Sequence, residues 1–409
     1  MIRFIHTADL HFGVENYGKI DQKTGINSRL LDFEKAFNFC IETAINENVD
    51  FFLFCGDAYK TAHPSPTQQK LLLRSFLKLH HAQIPVIIIV GNHDHPLSFG
   101  KAHALDIFSS LPMNGFYVFN KPNLIKIDTK SGPVQIVGIP WPVRSTLTLN
   151  TIEQNSKIIT QKISTQIGSL INSFAQELDE NIPAVLAAHL TASNGIFSGS
   201  EKRAIYGSDP IFLPSQLALP QFDYVALGHL HRYQSLNKDQ TPPIIYSGSI
   251  ERIDFGERRE EKGFCLVTIK EKGQTTYQFI KTPTRPCLQL EIHLNDKENQ
   301  TEQILYAIKE KNIKDAIIKV VYHIPPTKTD HVDLKSIQRA CATAHYLVGI
   351  FPVKTIVMRE RRTTVKLDMN FETLLEEYFK QKNDLKNKSE HLINKIKMLM
   401  QEMEQADQV

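Results

Sequence analysis

The chain has 409 residues, 42% hydrophobic and 22% charged, with a formal net charge of +3. This composition excludes intrinsic disorder, and the length exceeds one typical core, so a main domain of roughly 250 residues with smaller units attached is expected. A charge this close to balance says nothing of a polyanionic partner, which has to be argued from local sites.

The first half alternates short apolar runs with amphipathic stretches, the pattern of an α/β layered fold. Ile2 to Thr7, Phe51 to Cys55 and Val86 to Val90 read as strands. Between the first two, Leu30, Phe33, Phe37, Cys40, Ile41, Ala44 and Ile45 recur at helical steps and give one buried face. A second helix is expected from Ser65, with Pro66 at its first position. A helical pattern covers about 151 to 178, followed by strands at Val185 to Ala188, Tyr224 to Leu227, Ile244 to Tyr246, Phe264 to Ile269 and Tyr277 to Ile280.

Thr282-Pro283-Thr284-Arg285-Pro286 punctuates the chain, and the first domain is expected to span 1–283. Residues 284–367 read as a small α+β domain: strand Leu288 to Leu294, helix Gln303 to Lys311, strand Ala316 to Tyr322, helix Leu334 to Ala344, strand Thr355 to Leu367. Residues 368–409 lack glycine and proline, and Phe371, Leu375, Tyr378, Leu385, Leu392, Ile396, Leu399 and Met403 mark one or two amphipathic helices. Such a stripe either folds back on the body or binds a partner.

The five cysteines, Cys40, Cys55, Cys265, Cys287 and Cys341, form no CxxC pair, which fits a reducing cytoplasm. No apolar run suits a signal sequence or approaches ~18 uncharged residues, so neither export nor membrane spanning is expected.

Five short segments concentrate the candidate metal ligands: Asp9-Leu10-His11, Gly56-Asp57, Gly91-Asn92-His93-Asp94, His189, and Gly228-His229-Leu230-His231. Each follows an apolar strand, and strand ends are where α/β sheets build sites. A lone Asp-x-His or a lone histidine is usually a turn or a satisfied core residue; five such segments in order point to a dinuclear site. Two divalent ions held roughly 3.5–4 Å apart need one shared anionic ligand with carboxylate, imidazole and amide donors on either side, and Asp57 is the natural bridge. Two aspartates against two dications leave net positive charge, enough to lower the pKa of a water between them and to attract a phosphate. A donor set without cysteine fits manganese, iron or zinc.

These five motifs, in this order, resemble those of calcineurin-like metallophosphoesterases. The resemblance implies a β-sandwich flanked by helices, with a small α+β capping domain and C-terminal helices. Gly56-Asp57-Ala58-Tyr59-Lys60-Thr61 lacks the Asp-Arg-Gly ending of protein phosphatases, and Asp94 stands where they carry glutamate. Ile139-Pro140-Trp141-Pro142-Val143-Arg144, Ala187-Ala188-His189-Leu190-Thr191 and the stretch from Tyr246 to Glu257 make the whole chain similar to the SbcD family of bacterial nuclease subunits.

That resemblance implies two divalent ions, most readily Mn²⁺, one held by Asp9, His11, Asp57 and His231 and the other by Asp57, Asn92, His189 and His229. His93, beside the second ion, would protonate the leaving group or orient the phosphate. Asp94 would either accept a hydrogen bond from His93 or cap the following turn. The family role implied is a cytoplasmic DNA repair and recombination nuclease: a 3′ to 5′ duplex exonuclease and single-strand or hairpin endonuclease. Its partners would be DNA, an SbcC-type ATPase docked on residues 368–409, and a second copy of the chain.

Lys60 stands where some archaeal relatives have a histidine, and no role passes to His63. Arg359, Arg361, Arg362 and Lys366 would touch phosphates or simply keep an edge strand soluble. Arg252, Arg258 and Arg259 interleave with Glu251, Glu257, Glu260 and Glu261, which suggests mutual pairing. The alternatives for the whole chain are a small-substrate phosphodiesterase with the same site, and a mainly structural subunit anchoring an ATPase.

Overall fold

The computed structural model describes residues 1–95, 102–143, 156–199, 201, 209–238, 240–296, 298–326, 328–354, 371–380 and 389–406. Two compact units divide it: Met1–Leu290 with Ile304–Val320 and Asp333–Ile350, and Glu291–Gln303 with Val321–Val332 and Phe351–Val409.

The first unit is built on two six-stranded sheets. One runs in the order Gln274–Lys281, Gly263–Glu271, Ile2–Thr7, Phe51–Phe54, Val86–Ile89, Phe116–Phe119, the last four strands parallel. The other runs Gln234–Ser235, Ile244–Tyr246, Tyr224–Gly228, Ala184–His189, Gly132–Ile139, Asn123–Thr129, with a parallel centre of four strands.

Phe51–Phe54 and Val86–Ile89 are buried at every position because both faces of their sheet are covered. Phe4, Leu53, Ile87 and Val267 turn inward to meet Ile136, Val185, Ala187 and Ala226 of the opposite sheet. Ile5, Phe52 and Ile88 turn outward beneath helices Ser28–Asn46 and Pro66–His81. Ser156–Glu177 covers the outer face of the second sheet through Ile163, Ile167 and Ile171. The result is a sandwich of two sheets with helices on both outer faces.

Local chemistry sets the helix ends. Pro66 occupies the first turn, and Ser65 and Gln68 close a reciprocal capping box. Asn27 caps the other helix by accepting from the Arg29 N–H.

Strands Phe116–Phe119, Asn123–Thr129 and Gly132–Ile139 were not anticipated. The first two are only half-buried sheet edges, so their apolar signal is weak.

Downstream lie strands Cys287–His293, Ile317–Ile324 and Tyr346–Lys354 and helices Gln300–Lys309 and Leu334–Ala340. The expected helix to Ala344 stops four residues early, where Cys341 caps it. A strand forms at Tyr346–Lys354; the one expected at Thr355 to Leu367, and the basic cluster Arg359, Arg361, Arg362 and Lys366, lie outside the described residues. Helices Phe371–Lys380 and Ser389–Ala406 follow.

Candidate metal centre

Every candidate ligand sits at or just beyond the carboxyl end of a parallel strand. Asp9 and His11 follow Ile2–Thr7, Asp57 follows Phe51–Phe54, and Asn92 follows Val86–Ile89; His189 ends Ala184–His189, and His229 and His231 follow Tyr224–Gly228. Stacking the sheets brings both rows of strand ends together.

The loops are bent tightly to do this. Asp9, His11, Asp57 and His229 have φ of 53°, 47°, 58° and 101°, the left-handed region that side chains avoid. Backbone bonds across the loops hold them: Asp9 N–H donates to Gly56 O (2.9 Å), His11 N–H to Asp57 O (3.0 Å), and His229 N–H to the Asp9 carboxylate (3.0 Å). Gly91 has to be glycine, since a Cβ there would stand 2.2 Å from Asp57 Oδ1.

Asp9, His11 and His231 converge as one donor group, and Asp57, His189 and His229 as another. Nε2 of His11 and Nε2 of His231 are 3.1 Å apart. Asp57 Oδ2 lies between the groups, 3.5 Å from His11 Nε2 and 3.4 Å from His189 Nε2. Asn92 Oδ1 is 3.0 Å from His189 Nε2 and 3.1 Å from His229 Nδ1.

Tautomers decide what these contacts mean. His189 Nδ1 is 2.7 Å from the Cys55 carbonyl, which only accepts, so that nitrogen carries the hydrogen and the Nε2 lone pair faces two oxygen acceptors. His231 Nδ1 likewise donates to Glu257 Oε1 at 3.2 Å, turning its Nε2 lone pair toward His11. Facing lone pairs repel unless a proton or a cation lies among them. Burial opposes charge on both rings, yet Asp57 beside His189 and Glu201 beside His231 outweigh it and lift each to about 9. Burial also works against Asp57, but the rings around it, His189 first, hold it well below the usual carboxylate range. The donor set therefore fits divalent cations, with Asp57 shared between the two groups.

The His93 ring is 4.9 Å from the His11 ring, and His93 groups with His11 and with Asp57, the residue common to both donor groups. Its N–H donates to Asp57 Oδ1 (2.9 Å), and its Nδ1 donates to the Lys60 carbonyl (2.8 Å).

Asp94 does not meet His93. Its fully buried carboxylate accepts from the N–H groups of Asp57 (2.9 Å), Ala58 (3.0 Å), Tyr59 (3.4 Å) and Gly91 (3.0 Å). Asp94 is thus a clamp between the Asp57 loop and its own, which corrects its expected catalytic role.

Behind the ligands stand residues that motif reading missed. Glu257 is buried between His231 Nδ1 (3.2 Å) and Lys262 Nζ (2.9 Å), and Lys262 also donates to the His231 carbonyl (2.9 Å). Burial works against its charge, but Lys262 first and His231 next hold Glu257 below the ordinary carboxylate range. Glu201 accepts from the N–H groups of His231 and Ser198. Asp209 Oδ2 stands 3.5 Å from His229 Nε2, long for a hydrogen bond. Trp141 walls the second group, its ring 4.8 Å from that of His229.

Mutual pairing was expected among the arginines and glutamates of 251–261, but two of these side chains turn to other partners. Arg252 donates to the Glu260 carbonyl (3.2 Å) and to Thr284 Oγ1 (2.7 Å), whereas Glu257 turns inward to the metal centre.

A family model described as calcineurin-like phosphoesterase matches residues 2–233. Similar solved structures include a dimetal phosphatase from Danio rerio, with 9% identity, covering 69% of this chain and 99% of that one, TM-score 0.38. Others are the protein TT1561 of Thermus thermophilus (11% identity, 68% and 98% covered, TM-score 0.37) and the phosphopantetheinyl hydrolase PptH from Mycobacterium tuberculosis (12%, 60% and 88%, TM-score 0.31).

Proposed function

The chain belongs to the calcineurin-like phosphoesterase family, and from that membership we propose that it is a manganese-dependent DNA nuclease of the SbcD kind. The family hydrolyses phosphoesters with two divalent metals, and the two-sheet sandwich flanked by helices is its fold. When bound, the ions supply Lewis-acid polarisation of the phosphate and a nucleophile at neutral pH.

The protein's own groups do the rest. Asp9, His11, Asp57 and His231 would hold one ion, and Asp57, Asn92, His189 and His229 the other. Asp94 keeps the Asp57 and Asn92 loops in register, and Glu257 accepts from Nδ1 of His231 and so aims its Nε2 at the first donor group.

The observation that carries the catalytic reading is the state of His93. With Nδ1–H committed to the Lys60 carbonyl, Nε2 is the nitrogen of this ring left to deliver a proton beside the first donor group. A leaving alkoxide takes that proton.

The DNA substrate is supported by the likeness of the wider sequence to SbcD nucleases, including Trp141 and the stretch from Tyr246 to Glu257. On the same footing, residues 284–367 are assigned to contacting DNA and 368–409 to docking an SbcC-type ATPase, with a homodimer as the working assembly. Exposed Tyr378, Met398 and Leu399 on the last two helices suit a docking role. No helix among the described residues is long and apolar enough to cross a membrane.

The test is to incubate the purified chain with Mn²⁺ and end-labelled duplex or hairpin DNA, beside His93→Ala and the generic ester bis-p-nitrophenyl phosphate. Manganese-dependent DNA cutting that His93→Ala abolishes is expected. Hydrolysis of the small ester with DNA untouched, even after an SbcC-type ATPase is added, would replace this reading with a small-substrate phosphodiesterase. Inactivity on both with two metals bound would favour a structural subunit.

A further inference from the structure

In the second unit a separate cluster of metal-ligating side chains lies on a sheet face. Glu291 and His293 are two residues apart at the end of strand Cys287–His293 and so leave the same face. His323 stands beside them on Ile317–Ile324, tied in by the Leu294 N–H donating to its carbonyl at 3.0 Å.

We propose that Glu291, His293 and His323 form a surface site for one borderline transition-metal dication of the zinc, nickel or copper class. The His293 and His323 rings stack at 4.2 Å with 11° between their planes, and His323 Nε2 is 3.0 Å from Glu291 Oε1. Each of the three offers one donor atom within 4.8 Å of the others. Two donors bound to zinc at about 2.0–2.2 Å each stand roughly 3.3 Å apart at tetrahedral angles, close to the His323 to Glu291 separation. Rotation of the exposed His293 ring about its side-chain bonds would complete the set.

Donor chemistry selects the ion. Two imidazoles with one carboxylate suit zinc, copper or nickel, whereas magnesium and calcium want an all-oxygen shell. Three protein ligands leave a position open to water or to a donor from another molecule. None of the three residues belongs to the strand ends that carry the dinuclear donors, so this site stands whether or not the nuclease reading does.

Equilibrium dialysis of the full-length chain against Zn²⁺, followed by metal analysis, tests the proposal. The wild type is expected to retain one equivalent more than the His293→Ala/His323→Ala double variant, with bis-p-nitrophenyl phosphate hydrolysis the same in both. The Cu²⁺-loaded wild type should show EPR couplings to two imidazole nitrogens that the double variant loses, with Asp57→Asn in the background of both to weaken the dinuclear centre. Equal retention in wild type and double variant, or an unchanged EPR spectrum, overturns it. Because the mutated side chains are at most partly buried, their loss leaves the fold intact.

Discussion

Nδ1 of His231 donates to Oε1 of Glu257 at 3.2 Å, while the other oxygen of Glu257 is held by Lys262 Nζ at 2.9 Å. The ligand ring is therefore oriented by a buried ion pair 26 and 31 residues further along the chain. Glu257→Gln should weaken Mn²⁺ binding by about 10–100-fold, since an amide oxygen still accepts the bond but lacks the charge. Calorimetric titration with Mn²⁺ decides it; an unchanged affinity would reduce Glu257 to packing. Lys262→Met should instead destabilise the fold by roughly 3–5 kcal/mol in urea melts, because it removes the cation held against the buried Glu257 carboxylate.

His93→Ala should lower kcat about 10²–10⁴-fold while two metals remain bound, because its imidazole adjoins the donor groups without belonging to the ligand set. Single-turnover hydrolysis with parallel metal analysis separates the two effects. Loss of metal along with activity would make His93 a ligand.

Asp94→Ala is expected to act through stability. Removing the carboxylate strands four N–H groups, those of Asp57, Ala58, Tyr59 and Gly91, in a site that water does not reach. A cost of several kcal/mol follows, at about 1–3 kcal/mol for each unmatched group that stays buried. A thermal melt unchanged from wild type would contradict the clamp.

Acid sensitivity should trace in part to His6. Its ring is buried, with Nε2 donating to the Leu227 carbonyl (3.2 Å) and Nδ1 accepting from Tyr224 Oη (3.1 Å). Burial, only partly offset by that carbonyl, lowers its pKa from 6.5 to about 3. Above pH 6.5 the ring is neutral in both folded and unfolded chains and adds no pH dependence. Between 6.5 and 3 the unfolded chain binds the extra proton, so stability falls with pH by about 1.4 kcal/mol per unit from this residue, then levels off below 3. In urea melts from about pH 7 to 4, His6→Phe should show a slope shallower by that amount. An equal slope would mean that His6 takes up its proton while folded.

Sequence alone was enough to pick out the segments whose donor side chains the fold gathers, because each ends a run such as Phe51 to Cys55 or Val86 to Val90 whose apolar character marks a buried strand. It also located helix starts such as Ser65-Pro66, where capping is a matter of neighbouring residues. Strands Phe116–Phe119 and Asn123–Thr129 escaped because half-exposed edges leave little periodicity.

What the tertiary structure decided is everything that depends on which distant residues meet. Asp94 was equally able to serve His93 or a turn until the packing of two parallel strands put the Asp57 loop over its carboxylate. That the His93 ring stands beside His11 was not legible, because an extended Asn92-His93-Asp94 segment does not say which way its ring turns. Glu257 read as one more surface charge among arginines until the fold carried His231 onto it. Strand and helix signals are local, set by neighbours along the chain, whereas partners in this site are brought together by two sheets whose ligands lie up to 222 residues apart, from Asp9 to His231.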